Sequence, residues 1–204
     1  MHNYLPQLTR KQRLGRIVHS LPWIRTPITL ESVPHLDNHA LECYSQLLKN
    51  SAGHVEYGAG ASTLFAAGFG VPVVSVETDV KFTELLQRRL GNANNVHLRH
   101  VDIGRTGDWG VPRKAIPDPA TLIKWRRYPI APWSLAKALG LARPNFVFVD
   151  GRFRVASALA SLRATAGDDQ ARIMVDDYTL RPEYWVLEAL SEMVGVYGEA
   201  AVFK

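Results

Sequence analysis

The sequence predicts a doubly wound α/β fold: a mostly parallel sheet of about seven strands, helices on both faces, and a C-terminal antiparallel hairpin. Three observations predict it. From residue 51 onward, short apolar runs alternate with amphipathic stretches, as parallel strands joined by helical crossovers require. The last two runs, 194–197 and 200–203, are split only by Gly198-Glu199, which reads as a hairpin turn. The five earlier runs each finish on a carboxylate: Glu56, Glu77, Asp102, Asp150 and Asp176-Asp177.

In chain order, Ser32 and Pro34 open a helix over 35–49, with Leu36, Ala40, Tyr44 and Leu47 on one face. Residues 54–57 form the first strand and 62–68 a helix; the valine-rich run 71–77 is a buried second strand. Asp79 caps a helix reaching Leu90, its inward side made by Phe82, Leu85, Leu86 and Leu90. Gly91-Asn92 ends it, and 96–101 is the third strand. The fourth strand is 145–149. Val155, Leu159, Leu162 and Ala166 then share one helical face, 171–176 is a strand, and Pro182 opens a helix to about Leu190. Two regions follow from this order. Residues 1–50 are a basic extension and a helix packed on the core, and 51–204 are the α/β domain, interrupted at about 103–137.

Composition narrows the class. The chain has 204 residues, 47% hydrophobic and 21% charged, close to soluble globular averages. No apolar run approaches the ~20 residues of a membrane span. Cys43 is the single cysteine, so neither an internal disulfide nor a cysteine-based zinc site is available. The first 30 residues lack the apolar stretch of a signal peptide, and a cytoplasmic protein is expected. The net charge is +5, unevenly spread. Residues 1–30 carry +5 and residues 103–137 carry another +5, so the rest of the chain carries −5. An acidic body with two basic appendages permits an anionic partner, nucleic acid included, but solvated basic faces explain it equally well.

Residues 103–137 break the rhythm, with five prolines, three tryptophans and no clear periodicity. They leave the sheet at the rim where ligands bind and return at the strand that ends on Asp150. A cover over an acceptor is therefore expected, against a fixed flap or a homodimer contact. Trp109, Trp125, Trp133 and Tyr128 there would make an aromatic wall, or would simply fold the insertion back onto the body.

In doubly wound sheets ligands bind beyond the carboxyl ends of the strands, where strand order reverses. At the first exit, Gly58 and Gly60 permit a tight turn and close backbone approach, but Thr63 stands where a dinucleotide fingerprint wants its third glycine. Glu56 just before the turn would repel a pyrophosphate and suit an ammonium or sulfonium. Glu77, nineteen residues after Gly58, is spaced to accept both hydroxyls of a ribose. Asp102 would accept from an adenine amino group, or be a solvated loop acid. Arg152 and Arg154 would grip an anionic acceptor, or neutralise Asp150 and Asp176.

The runs Val55-Glu56-Tyr57-Gly58-Ala59-Gly60-Ala61-Ser62-Thr63, Val74-Ser75-Val76-Glu77, Phe148-Val149-Asp150-Gly151 and Val175-Asp176-Asp177-Tyr178 together resemble the class I S-adenosylmethionine-dependent methyltransferases. The nearest flavour is the small bacterial branch related to the family-24 type. The resemblance spans roughly residues 51–204 and implies a Rossmann-like domain. It implies that Glu56 and the loop Gly58, Ala59, Gly60 and Ser62 hold the methionine end of the cofactor. Glu77 would bind the ribose, and Asp102 with the Ile103 amide would face the adenine. Asp150 would stand beside the sulfonium and the acceptor, as base or metal ligand. Members that methylate hydroxyls also imply a divalent cation such as Mg²⁺ on Asp150, Asp176 and Asp177. Here the last pair is Asp-Asp, where the catechol type has Asp-Asn.

Three functions are compatible with these residues. A methyltransferase acting on a small-molecule or saccharide acceptor fits the strand-end acids best. An NAD(P)-dependent oxidoreductase is opposed by Thr63 and Glu56. An RNA-binding or RNA-modifying protein of the same fold would use the basic appendages.

Overall fold

The computed structural model describes residues 33–107, 110–114 and 116–204. The sheet consists of β1 His54–Tyr57, β2 Val73–Glu77, β3 Val96–His100, β4 Phe146–Val149, β5 Arg172–Val175, β6 Met193–Tyr197 and β7 Ala200–Phe203. Its order is β3-β2-β1-β4-β5-β7-β6. β1 to β5 are parallel, and β7 runs antiparallel to both β5 and β6. The helices are α1 Asn38–Lys49, α2 Ala61–Ala67, α3 Val80–Leu90, α4 Pro119–Arg127, α5 Ala131–Ala138 and α6 Arg154–Ala164. Short 3₁₀ helices occupy Tyr128–Ile130, Tyr178–Leu180 and Pro182–Ala189. The predicted doubly wound, mostly parallel fold is the one observed.

Alternation along the strands divides the core into two layers. Val55, Tyr57, Val74, Val76, Val147, Val149, Ile173 and Val175 face one side, where Tyr128, Ala136 and Ala158 cover them. Val73, Phe146, Phe148 and Met174 face the other, against Ala40, Tyr44 and Leu48 of α1 and Ala66 of α2. β1 and β4 are buried along their whole length, as parallel strands covered on both faces must be.

Three expectations shift. α1 is opened by Asp37 and not by Ser32 or Pro34: one Asp37 oxygen accepts from the His39 and Ala40 amides at 2.9 and 3.1 Å. The other accepts from Glu199 N at 2.9 Å, which ties α1 to the β6–β7 turn. The segment opened by Pro182 is 3₁₀ and not α-helical; only Leu187 of it is buried, so no packed face enforces the wider winding. Residues 103–137, expected to lack periodic structure, contain most of two helices. Their prolines initiate and do not interrupt: Pro119, Pro129 and Pro132 stand in first-turn positions, where a missing N–H costs nothing. Asp118 completes the start signal by accepting from Thr121 N at 2.7 Å. The basic residues of segment 1–30, and Trp109, lie outside the described residues. Among the described residues no helix is long and apolar enough to cross a membrane.

Candidate functional site

Strand order reverses between β1 and β4, so the chains leaving these two strands diverge above one crevice. Just below it they touch. Gly58 has φ +90°, and a Cβ there would lie 2.7 Å from the Gly151 backbone. A Cβ on Gly151 would lie 2.7 Å from Gly58 N and would strike the Tyr128 hydroxyl. Gly60 is different: a side chain there would meet nothing within 4 Å, so the turn opens onto free space at that residue.

Glu56 is not at the rim. It lies one residue inside β1, fully buried. Its Oε2 accepts from Ser75 Oγ of β2 at 2.6 Å and from the Thr63 hydroxyl, which itself accepts from Gly60 N at 2.9 Å. Thr63 therefore staples the glycine turn to Glu56, which gives a physical reason for its departure from the dinucleotide fingerprint. Burial pushes the Glu56 carboxyl up to about 7, with Ser62, Ser75 and Thr63 pulling the other way. Oε1 is buried with no partner among the described residues. Neither Thr63 nor Ser75 was singled out for this clamp from sequence. The signal was available, because a buried strand acid demands nearby hydroxyls.

Glu77 closes β2, next to β1. Its Oε1 accepts from Thr78 N at 2.6 Å, Thr78 Oγ1 at 3.1 Å and Asp79 N at 3.0 Å. Among the described residues no donor reaches Oε2. Burial raises this carboxyl, opposed by the Asp79 and Thr78 donors. Asp102 is engaged on both oxygens: Oδ1 accepts from Gly104 N at 2.7 Å and Oδ2 from Lys124 Nζ of α4 at 2.6 Å. Lys124 and then Gly104 hold its carboxyl below the usual range. This ion pair is exposed, so a competing donor displaces it at little cost. Ile103 is buried, its carbonyl accepts from Trp125 Nε1 at 2.9 Å, and its amide has no partner among the described residues.

The residues present therefore fit the cofactor implied by the resemblance at three points. Gly60 faces open space, Glu77 has a spare acceptor, and Ile103 has a spare donor. Ala59 and Ser62 are both buried.

Asp150, Asp176 and Asp177 do come together, because β4 and β5 are neighbours. They converge on Arg154, however, not on an open position. Its Nη2 is 2.6 Å from Asp150 Oδ1, and its Nη1 is 3.1 Å from Asp177 Oδ2 and 4.0 Å from Asp176 Oδ2. Among the described residues no three His, Cys, Asp or Glu side chains are placed to hold a metal ion. The expected divalent cation does not fit this donor set. Of the two neutralising arginines anticipated, Arg154 takes the role; no ion pair joins Arg152 to these acids among the described residues. Asp150 and Asp176 are both raised, Asp176 the more strongly. Burial is the first cause for each, neighbouring carboxylates add to it, and Arg154 opposes it.

Trp125, Tyr128 and Trp133 of the insertion belong to the core. Tyr57 Oη donates to Pro129 O at 2.6 Å and accepts from Trp133 Nε1 at 2.9 Å. Phe153 packs between Trp125 and Tyr128, with ring centroids 5.4 and 5.9 Å away. Helices α4 and α5 are thus a built-in crossover. Before them, Gly110 approaches Thr78 after β2 and Arg152 after β4.

No family model and no curated protein matches this sequence. Solved structures do. A methyltransferase-like protein from Silicibacter pomeroyi DSS-3 is similar over 85% of this chain and 89% of its own, with 29% identity and a TM-score of 0.67. An O-methyltransferase from Bacillus cereus, solved in complex with SAH, is similar over 99% of this chain and 94% of its own, with 12% identity and a TM-score of 0.51. The second likeness shows the fold alone.

Proposed function

We propose that this chain is an S-adenosylmethionine-dependent methyltransferase acting on a small-molecule or saccharide acceptor. The observation that carries the reading is the pairing of an open glycine turn after β1 with Glu77 at the end of adjacent β2, one carboxylate oxygen still unclaimed. The likeness to the Silicibacter pomeroyi methyltransferase-like protein supports it. When bound, the cofactor supplies a sulfonium-activated methyl group for direct displacement. The chain supplies alignment, which alone is worth several orders of magnitude in rate. Gly58 and Gly60 bring backbone close to the methionine end, and Glu77 Oε2 accepts from the ribose. The Ile103 amide and Asp102 bound the adenine, Lys124 yielding its hold on Asp102. Asp150, with 39% of its side chain exposed beside the crevice, faces the acceptor and accepts its proton.

A nicotinamide-dependent oxidoreductase is the weaker reading, since the Thr63–Glu56 clamp keeps a carboxyl group directly beneath the turn that would carry a pyrophosphate. RNA recognition is weaker too. Lys114 and Lys124 of the insertion are paired with Asp118 and Asp102, so the basic excess there is partly spent locally.

Calorimetric titration with S-adenosylmethionine, S-adenosylhomocysteine and NADH tests the reading. S-adenosylhomocysteine should bind, and Glu77→Ala should weaken it by about 1.5–3 kcal/mol, the scale of hydrogen bonds to a charged group. Tight NADH binding with no response to S-adenosylhomocysteine would falsify the proposal.

A further inference from the structure

We propose that the Arg154 guanidinium is the resident cation of the acidic rim, occupying the position a divalent metal would need, so that this chain works without one. Arg154 is the first residue of α6, four residues after Asp150, and its side chain is 7% exposed. A guanidinium has five N–H donors. Here four hydrogen bonds and a further ion-pair contact engage it. Nε donates to Gly151 O at 3.3 Å; Nη1 donates to Asp176 O at 2.5 Å and lies 3.1 Å from Asp177 Oδ2. Nη2 donates to Asp150 O at 3.0 Å and to Asp150 Oδ1 at 2.6 Å. Carbonyl and carboxylate oxygens are the ligands that Mg²⁺ or Ca²⁺ would use, and this fork engages three of the carbonyls and one carboxylate oxygen each of Asp150 and Asp177.

Two further observations show that the arrangement is built around the side chain. The Tyr184 ring stands 5.9 Å from the guanidinium carbon, in cation–π range. Asp177 adopts a left-handed backbone, φ +54°, which an aspartate takes at some cost and which accompanies its contact with Nη1. Arg154 is then a positioning residue: it fixes Asp150 and neutralises part of the acidic charge without offering coordination positions to an acceptor. Hydrogen bonds, not chelation, would hold the acceptor oxygen. The cation claim stands on the cluster alone; only the role of Asp150 toward an acceptor rests on the methyltransferase reading.

Titration with MnCl₂, followed by calorimetry and by the paramagnetic resonance of free Mn²⁺, tests it. The wild type should show no saturable Mn²⁺ site, and dialysis against EDTA should leave its melting temperature and S-adenosylhomocysteine affinity unchanged. Arg154→Ala, with the oxygens freed, should gain a saturable Mn²⁺ site roughly tenfold or more tighter than the non-saturable wild-type background; Arg154→Lys, which keeps a charge, should not. A stoichiometric Mn²⁺ site in the wild type that Asp177→Asn abolishes would overturn the proposal. So would a folded Arg154→Ala variant with no gain. Should Arg154→Ala not fold, the wild-type titration and the EDTA comparison decide. Failure of the methyltransferase reading registers separately, as absence of S-adenosylhomocysteine binding in every variant while the Mn²⁺ results stand.

Discussion

Gly151 and Gly60 differ in what lies beyond their missing side chains. Gly151→Ala drives a methyl group into Gly58 N and the Tyr128 hydroxyl, neither of which has room to retreat, and should cost about 3 kcal/mol in urea unfolding. Gly60→Ala meets empty space with an extended φ of −179°, so stability should change by less than about 0.5 kcal/mol. S-adenosylhomocysteine affinity should nevertheless fall, because the methyl group enters the volume the ligand needs. An unstable Gly60→Ala, or one that binds as the wild type does, would count against the cradle. Glu56 makes a second prediction, in pH. Its carboxyl is raised from 4.5 to about 7, so the folded state keeps a proton that the unfolded chain releases. The stability it contributes is complete below about pH 4.5 and is lost as pH rises to about 7, on the order of 3 kcal/mol. Glu56→Gln removes this one loss. The variant should therefore gain on the wild type by about that amount between pH 4.5 and 8, measured by urea unfolding at each pH. Parallel profiles would mean that Glu56 does not titrate in this window.

At the scale of elements, the crossover between β3 and β4 separates what the sequence makes legible from what it hides. Strand and helix positions elsewhere follow from periodicity: β1 and α3 begin and end where alternation and the Asp79 cap put them. α4 and α5 escape the same test because α4 buries no residue fully and α5 is proline-started and only two turns long. Their apolar residues serve aromatic contacts with Phe153 and Tyr57, pairings formed across 28 and 76 positions of chain that no local window contains. The helical crossover and the stretch before it should behave differently toward trypsin. Cuts are expected after Arg105, Arg113 or Lys114, which are exposed outside regular helices, and not after Lys124, Arg126 or Arg127, whose backbone is helical. Mass spectrometry of early fragments from the native protein decides. Early cleavage at Arg126 or Arg127 would show that α4 opens independently of the core.

For the whole molecule, the carboxyl edge of the sheet was readable in outline because acids are scarce in strands and stand out at their ends. Four do end strands or follow them closely; Glu56 does not, since one residue of chain separates a rim position from a buried one. The metal expectation meets a donor set that does not suit it for a related reason. Three acids in the sequence specify a demand for positive charge, but not whether an ion or an arginine four residues away supplies it. The contact between Gly58 and Gly151 has a mechanical consequence. Together with the Asp150 N to Tyr57 O hydrogen bond at 2.9 Å, it joins the loop after β1 to the loop carrying Asp150 through backbone on both sides. The two halves of the doubly wound sheet are thereby riveted at their shared edge. A displacement of the glycine turn must therefore carry with it the backbone that bears Asp150 and leads into α6, because the contact leaves no gap to take it up.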